Sequence, residues 1–262
     1  MSAENPRLAV LIDADNVKVV INLIDELFAE IAKFGTASIR RIYGDWTNDD
    51  LKKWKAVLPK HAIQPIQQFA NTKGKNATDS ALIIDAMDLL YKAPLDGICI
   101  VSSDSDFTRL AVRFRESGML VYGFGEEKTP EAFRAACDQF IFIEILSSNN
   151  EEGTEASDKP GQSSNSAANG DSLSLKHSGS KKSGKELAQD AKLVSLIRSA
   201  IEALSDDDGF AHMGEIKRHI VKNFSAFDSR NYGYSKFSDL IAAIGLFEVD
   251  TQKQRIKDKR KK

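Results

Sequence analysis

Acidic residues recur at one kind of place in this chain, just beyond a run of strand length. LAVLI (8–12) is followed by Asp13-Ala14-Asp15-Asn16, the run at 37–43 by Gly44-Asp45, and the run at 119–124 by Gly125-Glu126-Glu127. The run at 97–102 leads into Ser103-Asp104-Ser105-Asp106, and Asp79 opens a helical pattern after Lys73-Gly74-Lys75-Asn76-Ala77-Thr78. A single acid in such a position needs no chemistry to explain it, because Asp caps helices and the helix dipole favours a carboxylate in the first turn. Convergence from separate segments is different. Clustered carboxylates repel one another and are costly to keep ionised unless a cation neutralises them. Hard oxygen donors of this kind suit Mg²⁺ or Mn²⁺, and one or two such ions can activate water and steady a phosphodiester during in-line attack. The four histidines, His61, His177, His212 and His219, are scattered, so a Ser/His/Asp nucleophile is not expected.

Asp13, Asp79, Asp104 and Asp106 are therefore the expected metal ligands and catalytic groups. Asp106 reads equally as a ligand or a helix cap, and Asp15 reads as a cap. Asn16 is expected to hold Asp13 or touch substrate, and Lys75 to meet the scissile phosphate. Asp45 and Asp85 stand at the margin of the set. Asp85 lies six residues beyond Asp79, about 120° round a helix, which suits a structural partner better than a shared ligand.

The elements that must position these groups follow from the periodicity. LAVLI is continuously apolar, as a strand covered on both faces should be. A helix over 17–33 follows, with Val20, Ile24, Leu27, Phe28 and Ile31 on one face, closed by Gly35. Further strands are predicted at 37–43, 62–67, 97–102, 119–124 and 139–143, and helices at 48–57, 78–91, 106–116 and 130–136. Alternating β and α elements imply an α/β fold, a parallel sheet sandwiched by helices, with its site outside the carboxyl ends of the strands.

Composition divides the chain. Of the 262 residues, the segment 1–146 forms the first expected domain. Residues 147–186, rich in Ser, Gly, Asn and charge, cannot bury enough apolar surface to offset ordering entropy and are expected to be a disordered linker. Residues 187–252 regain helical periodicity, with helices over 187–204, 213–224 and 234–244 and a strand at 246–250: a small winged-helix-like domain. A basic tail, 253–262, follows. Residues 181–262 are net basic, so any nucleic-acid affinity is expected to be helped by this half. Its candidate RNA contacts are Lys217, Arg218, Lys222, Arg230 and Lys236. Cys99 and Cys137 sit in apolar strings and read as buried free thiols. No run reaches the roughly 18 apolar residues of a membrane span and no basic leader precedes LAVLI, so the expectation is a cytoplasmic protein with no membrane partner.

LIDADN, KGKNATDSALIIDAMDLL and IVSSDSDFTRL, in this order, resemble the motifs of the NYN domain within the PIN-like nuclease superfamily. The resemblance falls on Asp13 and Asn16, on Asp79 and Asp85, and on Ser103, Asp104 and Asp106, with Ser103 implied at the substrate. The string FDSRNYGYSKFSDLIAAIGLFEVD (227–250) resembles the LOTUS, or OST-HTH, domain. Together these imply a PIN-like sheet, ribonuclease activity with Mg²⁺ or Mn²⁺, and a second domain that binds RNA or a protein partner. Two other readings stay open. One is a catalytically idle RNA-binding adaptor. The other is a haloacid-dehalogenase-like phosphatase, in which Asp13 would be the nucleophile and Asp15 the acid/base.

Overall fold

The computed structural model describes residues 5–69, 77–147 and 181–260. Most of the expected linker, and Lys75, lie outside these residues. Six strands, β1 (Arg7–Asp13), β2 (Thr36–Gly44), β3 (Gln64–Gln67), β4 (Gly97–Val101), β5 (Leu120–Gly125) and β6 (Gln139–Phe142), form one sheet. Its order is β3-β2-β1-β4-β5-β6 and every pairing is parallel. The chain therefore winds outward in both directions from β1 and β4, and a crevice opens where their carboxyl ends part.

β1 shows why the apolar run had to be a central strand. Successive side chains of a strand point to opposite faces. Leu8, Val10 and Ile12 enter one core, with Ile24, Leu27 and Ile31 of α1 (Ile24–Ile31) and Trp54. Ala9 and Leu11 enter the other, with Leu82 and Ala86 of α2 (Ala77–Lys92), Phe114 of α3 (Thr108–Glu116) and Phe133 of α4 (Glu131–Ala136). A short helix, α5 (Glu144–Ser147), completes the first face. Cys99 and Cys137 are buried free thiols, as expected.

Boundaries differ where local chemistry intervenes. The helix expected over 17–33 is a 3-10 turn, Lys18–Asn22, followed by α1. The first part contains Val19, Val20 and Ile21, whose β-branched side chains lose rotamer freedom in an α-helix. The helix expected over 48–57 is a 3-10 segment, Asp49–Ala56, capped by the Asn48 side chain.

The second unit contains α6 (Gly184–Gln189), α7 (Ala191–Leu204), β7 (Ala211–His212), α8 (Met213–Asn223), α9 (Phe237–Ile244), β8 (Phe247–Asp250) and β9 (Arg255–Asp258). Its strands form an antiparallel sheet in the order β7-β9-β8. Structure begins earlier than expected, because Ser183 and Glu186 form a reciprocal capping box that starts α6 inside the expected linker. Asp190 then caps α7 and breaks the expected helix in two. Structure also ends later. Part of the expected basic tail is β9, the middle strand of this sheet, with Ile256 fully buried and Asp258 paired to Arg198 at 3.0 Å. One apolar residue among Lys and Arg carries too little pattern to announce a strand; pairing with β7 and β8 decides it.

The two units are in contact. The Phe140 amide of edge strand β6 donates to the Ser225 carbonyl at 2.9 Å. The Ser225 hydroxyl donates to the Arg134 carbonyl at 2.5 Å, and Ala226 is buried in the core formed by α2, α3 and α4. The loop after α8 thus covers an edge that would otherwise present unpaired backbone groups. Among the described residues no helix is long and apolar enough to cross a membrane.

Candidate metal centre

β1 delivers Asp13, its last residue, to the crevice with only 2% of its surface exposed. One carboxylate oxygen, Oδ2, accepts from the Ser102 hydroxyl at 2.9 Å. The other, Oδ1, is buried without a hydrogen-bond partner. Burial raises the Asp13 carboxyl to about 7; the Ser102 bond and, more weakly, the Asn16 backbone oppose this, while the charges of Asp79 and Asp15 add to it.

Asp79 reaches the same crevice from the first turn of α2, and Asp104 and Asp106 from the loop after β4. An oxygen from each of these three lies within 4.8 Å of the others. Asp79 is pushed up to about 6, first by burial and then by Asp104, Asp106 and Asp15. A small divalent cation fits these residues: three carboxylates converge, and a fourth, Asp13, within their electrostatic reach, holds a buried oxygen without a hydrogen bond of ordinary geometry.

The loops carrying the site are tied to one another. The Asp104 amide donates to the Ser102 hydroxyl at 3.1 Å, and Asp104 accepts from the Asp106 amide at 2.9 Å. Asp104 is thus the cap of the 3-10 turn Ser105–Phe107 as well as a member of the cluster. The Ser103 amide donates to the Asn16 side chain at 2.8 Å, and the Ser103 hydroxyl accepts from the Glu126 amide at 2.9 Å. Asn16 and Ser103 therefore join the ends of β1, β4 and β5. Gly125 permits that closure, since a Cβ there would stand 2.6 Å from the Ser102 carbonyl. Asp15, exposed on its loop, accepts from the Thr78 hydroxyl at the start of α2. Ser102 is the residue that sequence reasoning passed over. It stands at the end of the strand beside the acids and carried no expected role, yet its hydroxyl links Asp13 to Asp104.

Two marginal candidates lie apart from the cluster. Asp45 accepts from Thr47 and Gln67 at the end of β2. Asp85 accepts from Arg41 at 2.5 Å and from the Tyr43 hydroxyl, tying α2 to β2. Tyr43 is the register partner of Asp13, so this tie sets the helix bearing Asp79 against the strand bearing Asp13. Asp85→Ala is expected to cost about 2 kcal/mol by leaving a buried hydroxyl and a half-buried guanidinium unpaired. Chemical denaturation measures this, and Asp85→Asn should lose less. A ligand role would leave stability unchanged and appear only in metal affinity.

Among the expected RNA contacts, Lys217, Arg218 and Lys222 project from α8, and Lys236 is exposed before α9. Arg230 does not face solvent. It is 17% exposed and donates to both oxygens of Glu30, at 3.0 and 2.9 Å, and to Asp228 at 2.7 Å. Burial alone would raise Glu30, but the Arg230 and Lys33 bonds hold it below the ordinary carboxylate range. A cation in a loop looks solvated in sequence; here the partner that sequesters it lies 200 positions away.

A family model described as NYN domain matches residues 7–144, and one described as OST-HTH/LOTUS domain matches residues 188–257. Among solved structures, a Vibrio parahaemolyticus RIMD 2210633 protein of unknown function is similar at 17% identity. The match covers 55% of this chain and 96% of that one, with a TM-score of 0.45. No curated protein matches the chain.

Proposed function

The chain belongs to the NYN domain family and carries an OST-HTH/LOTUS domain, and on that premise we propose that it is a ribonuclease that hydrolyses RNA phosphodiesters with Mg²⁺ or Mn²⁺. The observation that carries this reading is the buried Asp13 oxygen without an ordinary hydrogen bond together with the converging Asp79, Asp104 and Asp106 triplet, where the strand order reverses. A divalent ion, when bound, would supply a nucleophilic water at neutral pH and offset charge developing on the phosphate.

The protein's own groups prepare the site for it. Asp79, Asp104 and Asp106 offer converging oxygens, and Asp13 offers one more. The Ser102 hydroxyl occupies Oδ2 of Asp13 and leaves Oδ1 as the donor. Asn16 and Ser103 hold the two loops at a constant separation. The OST-HTH/LOTUS domain supplies a second RNA-binding surface, raising the local concentration of substrate without adding contacts at the acidic centre.

The test is cleavage of end-labelled single-stranded and hairpin RNA in Mn²⁺, Mg²⁺ or chelator, beside Asp104→Asn. Cutting is expected only with metal. The variant should lose more than about 100-fold, beyond what removing an outer hydrogen-bond partner costs a metal site. No cutting on any RNA, with binding indifferent to metal and to Asp104→Asn, would instead make the protein an RNA adaptor with an idle centre.

A further inference from the structure

A cleft of about 960 Å³ lies where the two units meet. On the sheet side it is lined by residues that precede strands: Lys33 before β2, Arg115 before β5, and Cys137 to Gln139 at the start of β6. This is the amino-terminal edge of the sheet, opposite the acidic centre. On the other side stand Lys217, Arg218 and Lys222 of α8. The lining carries seven Lys and Arg side chains against four carboxylates.

Three of those carboxylates are neutralised within the wall. Glu30 is held by Arg230 and Lys33, Asp228 by Arg230, and Asp138 by Arg115 at 3.1 Å. Arg134, Lys217 and Lys222 have no carboxylate partner among the described residues, Arg134 lying over the Phe142 ring at 5.6 Å, and Arg218 reaches Glu215 only at 3.9 Å. Arg134 also has a buried Nε–H without an acceptor. The unpaired cations thus belong to both units, so neither unit alone makes the site. Docking through Ser225, Ala226 and Arg230 holds the two walls together.

We propose that this cleft binds the phosphate backbone of single-stranded RNA and holds it at a set distance from the acidic centre. Backbone phosphates are anionic groups at regular spacing that accept hydrogen bonds, as cations on facing walls require. The proposal rests on the ribonuclease reading for one of its consequences, the spacing of the cut. β1 spans seven residues between the two edges of the sheet, about 20 Å at ~3.3 Å per residue. A stacked strand advancing ~3.4 Å per nucleotide needs about six nucleotides to cover that distance. RNA that stays stacked and is shorter than this cannot occupy both places.

The test uses the full chain in two arms. In the first, Asp13→Asn protein, which should not cut, is titrated with labelled 20-nucleotide and 4-nucleotide single-stranded RNA over a range of salt. Adding Arg134→Glu and Lys222→Glu is expected to weaken binding of the 20-mer more than tenfold. It should also make the salt dependence shallower by roughly 1.4 in log–log slope, at 0.7 per phosphate contact on a single strand. Arg134→Gln with Lys222→Gln, which reverses no charge, should fall between. In the second arm, the same pairs in the active chain should raise KM for the 20-mer more than tenfold further than they raise KM for the 4-mer. Loss of RNA binding on introducing the reversed pair, in a protein whose wild type never cuts, would keep the cleft and sink the ribonuclease. Normal cutting and unaltered 20-mer binding in the reversed pair would sink the cleft. So would a poly-glutamate peptide whose binding needs Arg134 and Lys222 while RNA binding does not; the cleft would then be a docking site for an acidic protein segment.

Discussion

Asp13→Asn is expected to abolish metal-dependent cutting and, at pH 8 without metal, to make the protein more stable than wild type. The wild-type carboxyl is 2% exposed and raised to about 7, against an ordinary value of 3.8. A raised carboxyl means that the folded state binds the proton more tightly than the unfolded chain does. Wild-type stability is therefore fully present below about pH 4, falls as pH rises through 7, and levels off above that. The difference is on the order of 4 kcal/mol at 1.36 kcal/mol per pH unit. Asp79, raised to about 6, adds a loss in the same direction. Asn keeps the volume and an acceptor for the Ser102 hydroxyl but has no charge to desolvate. Metal reverses the ranking, because ligands must be deprotonated to bind it. Saturating Mn²⁺ should raise the wild-type Tm more at pH 8 than at pH 5 and leave the Asn variant nearly unmoved. Thermal unfolding at both pH values, with and without Mn²⁺, measures all of this. A variant less stable than wild type at pH 8 in chelator would show that Asp13 is there for the fold and not for an ion.

Arg230→Ala carries the second large effect. Glu30 is 3% exposed and takes both of its Arg230 bonds across the contact between the units. Without the guanidinium, Glu30 keeps only Lys33, at 2.6 Å, and Asp228 loses its bidentate partner. Breaking a buried pair from one side leaves an uncompensated charge, at a cost of about 3–5 kcal/mol. The loss should fall on docking, so urea denaturation that is one transition in wild type becomes two. Arg230→Lys should not rescue it, because an ammonium cannot make the forked contact with two carboxylates. Adding Glu30→Gln should recover part of the loss by removing the stranded charge. A fall under about 1 kcal/mol with a single transition would show that Ser225 and Ala226 hold the units together unaided.

Much of the fold was legible in the residues. LAVLI and the run at 97–102 read as strands covered on both faces, and helical periodicity located α2, α3, α7 and α9 to within a few positions. Where backbone chemistry competes with periodicity the limits moved, as at the β-branched run before α1 and at Asp190. β9 escaped notice because a strand of four residues bearing three charges is specified by its neighbours in the sheet.

The candidate centre divides in the same way. Which acids end strands is a property of order along the chain, and Asp13, Asp79, Asp104 and Asp106 could be named from it. Their arrangement in space is not. Only the folded protein brings oxygens of three together and buries the fourth, Asp13, with one oxygen bonded by Ser102 and the other without a hydrogen bond of ordinary geometry. Only the folded protein turns Asp85 toward Tyr43, and only there does Arg230 exchange solvent for Glu30. The physical reason is range. Strand and helix patterns are set by neighbours a few residues away, whereas burial, charge neutralisation and hydrogen-bond satisfaction depend on partners that the chain brings close only by folding.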